Sequence, residues 1–313
     1  MSTLRTIPTV DIVGASDLDI GQVRAFAGRH GLPVARGSLA ALLEESRPDV
    51  VHILTPPVSH RELALNVLDS GASALIEKPF AETQTDAEIM VQAEGAARGT
   101  LSVCHNYLYL PVMRAALRLI EQGAVGRIIS AEVYWRISSL DATRSDAQRW
   151  VEKLPGGAFQ EVGPHVVYLL RAVLGDLQCV AATRAGDDEL RAQFCAGERL
   201  GALTIATGTE PVQKFMRIHG TRMTLQVDLG SNVLMRLRPR GGAIMGRALL
   251  NLETAGQLLG GTAANVFRTL AGRMPRSHPA FIRAYYDHLG RGLSPPAAAR
   301  DGLAVTRILD QVW

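Results

Sequence analysis

The chain has 313 residues, 47% of them hydrophobic, and a formal net charge of +3 from 33 basic and 30 acidic side chains. This length and apolar content suffice for two ordinary domains, whereas the scattered charges argue against nucleic acid or a membrane as partner. Three widely spaced cysteines form neither a disulfide framework nor a zinc site, and the first residues lack the apolar core of a signal peptide. We therefore expect a cytoplasmic protein with no metal.

Strand and helix signals alternate along the first third of the chain. An apolar run over residues 9–16 predicts a strand that ends at Asp17, and a helix over 21–30 follows. Further strands are predicted over 34–36, 49–54, 74–77 and 101–104, and further helices over 39–45, 59–70 and 83–98. The run 49–54 is apolar throughout, as in a strand buried on both faces. Such alternation specifies an α/β fold with a parallel, doubly wound, Rossmann-like sheet.

The pattern changes after Cys104. A helix is predicted over 111–122 and a long alternating strand over 128–137. Between residues 178 and 237, strand-like segments recur with glycine turns and no helix, which indicates a largely antiparallel sheet with an open face. Helices are predicted over 251–269, 279–289 and 296–312. We therefore predict two domains, residues 1–104 and residues 105–313, the second of α+β class.

Four segments of the chain form a recognisable series: Thr55-Pro56 with His60, the tripeptide Glu77-Lys78-Pro79, residues 105–126, and Gly156-Gly157 leading to Glu161 and His165. Together they resemble the Gfo/Idh/MocA family of oxidoreductases, which includes glucose-fructose oxidoreductase and inositol dehydrogenase. The order and spacing of these segments carry the resemblance, since each alone would occur by chance. The family joins a nicotinamide-binding Rossmann domain to an α+β substrate domain.

Lys78 is the first candidate catalytic residue. It follows a predicted parallel strand, at the edge of the sheet where such folds bind ligands. The alternative is a solvated charge at a strand end. The resemblance implies that Lys78 contacts the nicotinamide ribose and the substrate hydroxyl, while Glu77 anchors the turn and Pro79 fixes it, with a cis bond as one option.

Glu161 and His165 are the second catalytic pair. They lie four residues apart on one face of a predicted helix, and Tyr168 joins them one turn later as a candidate substrate contact. A histidine on an apolar face is otherwise a hydrogen-bonded core residue. The family carries Asp where this chain has Glu161, and a second Asp is common where it has Tyr168. Glu161 is expected to set the His165 tautomer or to relay its proton.

The remaining candidates line the cofactor and the substrate. Asp17 ends the strand that the family uses for the adenosine ribose, and its carboxylate favours NAD over NADP, although it could instead cap the next helix. Thr55, Pro56 and His60 are expected beside the nicotinamide, and for His60 a structural role is favoured over a catalytic one. His105, Tyr107 and Trp150 are candidate walls of a sugar pocket, or else aromatic core.

Relatives begin with a strand, a Gly-x-Gly-x-x-Gly turn and a helix that binds the pyrophosphate, and this sequence has no such motif. The run ending at Asp17 therefore corresponds to the second strand of the order 3-2-1-4-5-6, and the missing strand is central. Either its two neighbours pair directly, or the chain borrows a strand, or the natural protein starts upstream of Met1. NAD binding is expected to be weak.

Two functions follow from the resemblance. The first is an NAD-dependent oxidoreductase that transfers hydride between nicotinamide and a secondary alcohol of a sugar, cyclitol or nucleotide-sugar, working as a homodimer or homotetramer. The second is a non-catalytic relative, impaired in cofactor binding, that acts as a binding or assembly subunit. The missing motif favours the second function, and retention of Lys78 and His165 favours the first.

Overall fold

A computed structural model describes residues 1–138 and 151–312 of the chain. It divides into two compact units, Met1–Cys104 with Phe281–Arg307, and His105–Ala280 with Ile308–Trp313. Residues 281–307 were predicted in the second domain, and the structure packs them with the first unit instead. The reason lies in specific contacts: Tyr286 hydrogen-bonds His52 over 2.9 Å, and the backbone carbonyl of Ala297 accepts from both the Ser102 hydroxyl and the Val103 amide.

The first unit consists of short parallel strands connected by helices. Its strands are β1 (Gly14–Ser16), β2 (Val34–Arg36), β3 (Val50–Ile53), β4 (Ser73–Ile76) and β5 (Leu101–Val103). Its connecting helices are α1 (Ile20–His30), α2 (Leu39–Ser46), α3 (His60–Asp69) and α4 (Gln84–Ala96). Helices α1, α2 and α4 begin with side-chain caps from Asp19, Ser38 and Thr83.

Helix α3 starts differently from the prediction. The helix was predicted from residue 59, but Ser59 ends a 3-10 turn, Pro57–Ser59, and the helix begins at His60. The Ser59 hydroxyl donates to Thr55 Oγ1 over 2.7 Å and to the Pro56 carbonyl over 2.9 Å. It therefore orders the turn after β3 rather than the first turn of α3.

The parallel sheet of the first unit is in two pieces. Strand β1 pairs with β2, and β3 pairs with β4, which pairs with β5. Within the described residues, neither β1 nor β3 has a second strand neighbour, so the direct pairing considered in the sequence analysis is not found. The expectation that residues 49–54 form a strand buried on both faces was wrong, because Ile53 alone is buried in β3. A strand without a neighbour on one side retains access to solvent there.

The second unit is built on a seven-stranded sheet. Its order is β12-β11-β10-β6-β9-β8-β7, antiparallel except for the parallel pair β6 and β9. The strands are β6 (Ile128–Arg136), β7 (Gln178–Ala185), β8 (Glu189–Ala196), β9 (Arg199–Ala206), β10 (Gln213–Gly220), β11 (Thr224–Asp228) and β12 (Val233–Leu237). Helix α5 (Pro111–Glu121) precedes β6, and α6 (Ala158–Leu174) packs on β6 and β9.

Three more helices complete the described chain, α7 (Ala243–Leu270), α8 (Ser277–Gly290) and α9 (Ala299–Leu309). Helix α7 begins eight residues before the predicted start at residue 251 and packs on β12. Among the helices that the structure describes, none is both long and apolar enough to cross a membrane.

Candidate functional site

The turn after β4 carries Lys78. Strand β4 is buried throughout, whereas Glu77 and Lys78 are half-buried, so the chain emerges from the core at this point. The Lys78 amide donates to the Glu77 carboxylate over 3.3 Å, which is the anchoring expected of Glu77. The Lys78-Pro79 peptide bond is cis. Lys78 therefore lies at the carboxyl end of a parallel strand, on a turn held by its own neighbours.

The His60 ring forms hydrogen bonds with both the turn after β3 and the turn after β4. Its Nε2 lies 2.8 Å from the Thr55 carbonyl, and its Nδ1 lies 3.0 Å from the Pro79 carbonyl and 3.2 Å from that of Phe80. Burial lowers the pKa of His60, and its hydrogen bonds to these carbonyls oppose that effect. The ring is fully buried. The structure places His60 beneath the turns after β3 and β4, in keeping with the structural role favoured for it. Its place beside the nicotinamide stays a prediction.

Thr55 and Pro56 are exposed at the carboxyl end of β3. Strands β3 and β4 are parallel neighbours, so these residues and Lys78 lie at one edge of the three-stranded sheet. The Thr55 hydroxyl accepts from Ser59, as described above, and its backbone carbonyl faces His60. The turn after β3 therefore presents a polar surface whose backbone is already ordered.

Asp17 follows β1 and is exposed. Its Oδ1 accepts the Asp19 amide over 2.9 Å, and Asp19 in turn caps α1 by accepting from the Gly21 and Gln22 amides over 2.9 and 3.0 Å. Those bonds, with Gln22 as the largest contributor, lower the pKa of Asp19. A carboxylate thus already occupies the amino end of α1, and its negative charge opposes the binding of a phosphate there.

The second unit holds His165 on helix α6. Gly157, with φ +56°, lets the chain turn into the helix, and Glu161 lies in its first turn. Pro164 removes one backbone donor immediately before His165. Nearly all of α6 is buried, yet Glu161 stays half-buried, so its face of the helix is the less enclosed one.

Aromatic rings surround the imidazole of His165. Trp135 stacks on it with 5.4 Å between ring centroids and an interplanar angle of 13°. Tyr107 meets it edge-on at 4.9 Å and packs in the same way against Trp135 at 4.9 Å. Lys214 lies over the Trp135 ring with its Nζ 5.0 Å from the centroid. These contacts hold the plane of the His165 ring.

Tyr168 provides the polar contact to His165. Its hydroxyl lies 2.9 Å from His165 Nδ1, 3.1 Å from the Tyr107 amide and 3.3 Å from Asn106 Oδ1. The Tyr168 side chain is 2% exposed. Tyr168 was predicted as a substrate contact, and among the described residues its hydroxyl contacts His165, Asn106 and the Tyr107 amide.

His105 is also buried, at 3% exposed, and stacks on Tyr168 with 4.3 Å between ring centroids. Burial and, secondarily, the charge of Arg171 lower the pKa of His105 to about 3, so its ring is neutral at physiological pH. Tyr107 remains half-buried, and burial followed by the charge of Glu161 raises its pKa. Of the predicted pocket walls, Tyr107 alone keeps partial exposure among the described residues, and Trp150 lies outside them.

Sequence reasoning missed two members of this cluster, Asn106 and Trp135. Trp135 could have been found, because the buried positions of β6 alternate, with Ala131, Val133 and Trp135 on the inner face. Asn106 gives no such signal, since a single polar residue between His105 and Tyr107 is typical of an exposed turn. It is instead 1% exposed.

Parallel strands alternating with helices, followed along the chain by a mixed sheet, define a Rossmann-type protein with an added α+β unit. A family model described as an oxidoreductase family with an NAD-binding Rossmann fold matches residues 2–105, and the GFO/IDH/MocA C-terminal domain matches residues 113–226. The chain belongs to the Gfo/Idh/MocA family. The predicted family and fold class are confirmed.

Several characterised proteins are similar to this chain. Oxidoreductase P35 of Formosa agariphila is 28% identical over 56% of this chain and 56% of its own length. D-apiose dehydrogenase of Paraburkholderia graminis is 30% identical over 57% of this chain and 47% of its own length. The chain thus spans about half the length of the curated relatives it matches.

Solved structures share the fold over nearly the whole chain. An oxidoreductase from Agrobacterium radiobacter, in complex with NAD+, L-tartaric acid and magnesium, superposes with a TM-score of 0.79 at 20% identity, covering 100% of this chain and 90% of that one. A levoglucosan dehydrogenase in complex with NADH and levoglucosan superposes with a TM-score of 0.79 at 19% identity, covering 96% and 86%.

Proposed function

We propose that this chain is an NAD-dependent oxidoreductase that transfers hydride between nicotinamide and a secondary alcohol of a sugar, cyclitol or nucleotide-sugar. The observation that carries the proposal is the enclosed His165, whose ring is held by aromatic contacts and whose Nδ1 is engaged by Tyr168. Similar proteins support the substrate class, since they include D-apiose dehydrogenases and levoglucosan dehydrogenase.

The residues at the strand ends fit the two ends of NAD. The Asp17 carboxylate suits the hydroxyls of the adenosine ribose and repels a 2′-phosphate, which favours NAD over NADP. Thr55, Pro56 and Lys78 would hold the nicotinamide ribose. The pyrophosphate finds no Gly-rich turn in this sequence, and Asp19 blocks the amino end of α1. We therefore infer that binding is weak.

In the proposed reaction, His165 accepts the proton of the substrate hydroxyl as general base. The ammonium of Lys78 stabilises the negative charge that develops on the oxygen as the proton leaves. NAD, when bound, accepts the hydride from the same carbon, and the alcohol becomes a carbonyl. Glu161, four residues before His165 and half-buried, is proposed to receive the proton from the site for release to solvent.

The test is a turnover assay at high protein concentration with NAD in the millimolar range, following the absorbance of reduced nicotinamide. The substrates are D-apiose, levoglucosan, an inositol and a UDP-linked sugar. We expect turnover of one of these substrate classes in the wild type and its loss in His165→Gln. Saturable binding of one of these sugars by calorimetry without any turnover would contradict the proposal and support the non-catalytic alternative.

We further propose that the chain forms a homodimer or homotetramer through the open face of the seven-stranded sheet. On this face Tyr134 stacks on Phe215 at 4.8 Å, Glu132 lies 3.9 Å from Arg217, and Leu200 is 63% exposed. Charges of both signs beside apolar rings suit contact with a second copy of the same face. Light scattering at micromolar concentration tests this, and a monomer there would contradict it. Leu200→Lys is expected to weaken the association.

A further inference from the structure

We propose that Tyr168, itself positioned by Asn106, holds neutral His165 as the tautomer protonated on Nδ1, so that Nε2 carries the lone pair. Both are positioning residues, because they act through His165. Hydrogen-bond distances within the second unit support this proposal. Its consequence for catalysis rests on the proposed function, whereas the tautomer itself is measurable without any turnover.

The orientation of the Asn106 amide is the first step. Its nitrogen lies 2.9 Å from the Ser277 hydroxyl and 3.0 Å from His278 Nδ1. An amide nitrogen has two hydrogens to donate, and these two neighbours can accept them. With the nitrogen on that side, Asn106 Oδ1 faces the Tyr168 hydroxyl.

The Tyr168 hydroxyl has one hydrogen to donate and two lone pairs that can accept. Asn106 Oδ1 can only accept, so the hydrogen of the hydroxyl goes there, over 3.3 Å. The Tyr107 amide can only donate, over 3.1 Å, and fills one lone pair. Among the described residues, the group that faces the second lone pair is His165 Nδ1 at 2.9 Å, and we assign the shared hydrogen to this nitrogen.

Burial makes this assignment decisive. Asn106 is 1% and Tyr168 2% exposed, so water cannot replace a missing partner at little cost. Trp135 and Tyr107 also prevent the imidazole from rotating to exchange its two nitrogens. A neutral imidazole protonated on Nδ1 has its lone pair on Nε2, which is the nitrogen that can accept a proton from a substrate hydroxyl.

The reverse orientation of the Asn106 amide predicts the opposite tautomer. Its nitrogen would then donate to the Tyr168 hydroxyl, and the hydroxyl would donate to His165 Nδ1. Nε2 would carry the hydrogen and could not act as a base. The two arrangements therefore differ in an observable property of His165.

The experiment is nitrogen NMR of the full chain labelled with 15N at its histidine rings, at neutral pH. The His165 signals are assigned by their loss in His165→Gln. We expect a protonated Nδ1 and an unprotonated Nε2 in the wild type. In Tyr168→Phe, which keeps the ring that stacks on His105, the proportion of the Nδ1-protonated form should fall. Tyr134→Phe is the matched control, because it removes the hydroxyl bound to Glu132 in the same unit, and it should leave the His165 signals unchanged.

A wild-type His165 protonated on Nε2 would overturn the proposal, even if Tyr168→Phe fails to fold. An Nδ1-protonated His165 that is unaffected by Tyr168→Phe would overturn it as well, because the hydroxyl would then not set the tautomer. If the chain turns over a substrate, Tyr168→Phe should lower kcat about tenfold with KM unchanged, because one buried hydrogen bond is lost. Absence of turnover would contradict the proposed function and leave the tautomer result standing.

Discussion

Gly302 of helix α9 lies against Phe80, two residues after Lys78, and replacing it by alanine tests how the carboxy-terminal helix is packed on the first unit. A Cβ built on Gly302 comes within 2.4 Å of Phe80 Cγ, 2.7 Å of Cδ1 and 2.9 Å of Cβ. Phe80 is 3% exposed, and its carbonyl is bound by His60. Neither the ring nor its backbone has room to retreat.

Two effects of the substitution oppose each other. Alanine improves the helix propensity by about 1 kcal/mol over glycine, whereas inserting a methyl group into a filled core costs about 1 to 3 kcal/mol. The clash involves the Cβ and Cγ of Phe80 rather than a flexible chain end, so the upper part of that range applies. We expect a net loss of about 1 to 2 kcal/mol in the free energy of unfolding.

The matched control is Gly256→Ala in helix α7, where no atom lies within 4 Å of the new Cβ. It carries the propensity gain alone and should raise the free energy of unfolding by about 0.5 to 1 kcal/mol. Urea unfolding followed by far-ultraviolet circular dichroism measures both variants. If Gly302→Ala is as stable as Gly256→Ala, the packing of Phe281–Arg307 on the first unit described above is wrong.

Three further predictions concern the site and pH. If the chain turns over, Lys78→Ala and His165→Gln should each lower the rate by about 10² to 10⁴, as expected for positioned acid/base groups, and full activity in either would remove that residue from the site. The missing Gly-rich turn removes about two phosphate hydrogen bonds and a helix dipole, about 4 kcal/mol net or a thousandfold. Calorimetry should therefore give a millimolar dissociation constant for NAD, and a low micromolar value would mean that another segment binds the phosphates. Burial, and secondarily the amino-terminal charge, lower the pKa of His52 from 6.5 to about 4. As pH falls, His52 therefore binds a proton at a higher pH in the unfolded chain than in the folded chain. The free energy of unfolding should decline between pH 6.5 and about 4, less steeply in His52→Gln, and an unchanged slope in that variant would contradict this.

Much of the fold could be predicted, because strand and helix periods are local properties of the sequence. Strand β2 was predicted over the residues it occupies, and α5 to within one residue. What local patterns do not contain is which elements pack together. The position of Phe281–Arg307 depends on contacts such as that of Tyr286 with His52, more than 200 residues apart in the chain.

The residues of the candidate site also differ in whether a local sequence pattern or only distant packing determines their role. Lys78 and His165 were found because a motif and a helical spacing mark them. A structural role was favoured for His60, but its partners could not be read from its motif, since they are carbonyls of two separate turns. Asn106 was missed because its burial follows from the packing of Tyr168 and Ser277 around it. Side chains that position other side chains leave the weakest signal in a single sequence.

The division of the parallel sheet also bears on the behaviour of the chain in solution. Proteins protect the outermost strand of a sheet with lysine, proline or a bulge, since an unpaired edge is a template for strands of other molecules. Strand β1 reads Gly-Ala-Ser and strand β3 reads Val-Val-His-Ile, with none of these protections. We expect the unpaired edges of β1 and β3 to favour disordered, concentration-dependent aggregation, which would compete with any symmetric assembly. Size measurements on this chain report on both aggregation and symmetric assembly. A lysine substituted at the unpaired edge of β1 or β3 should suppress the aggregation alone and so distinguish the two.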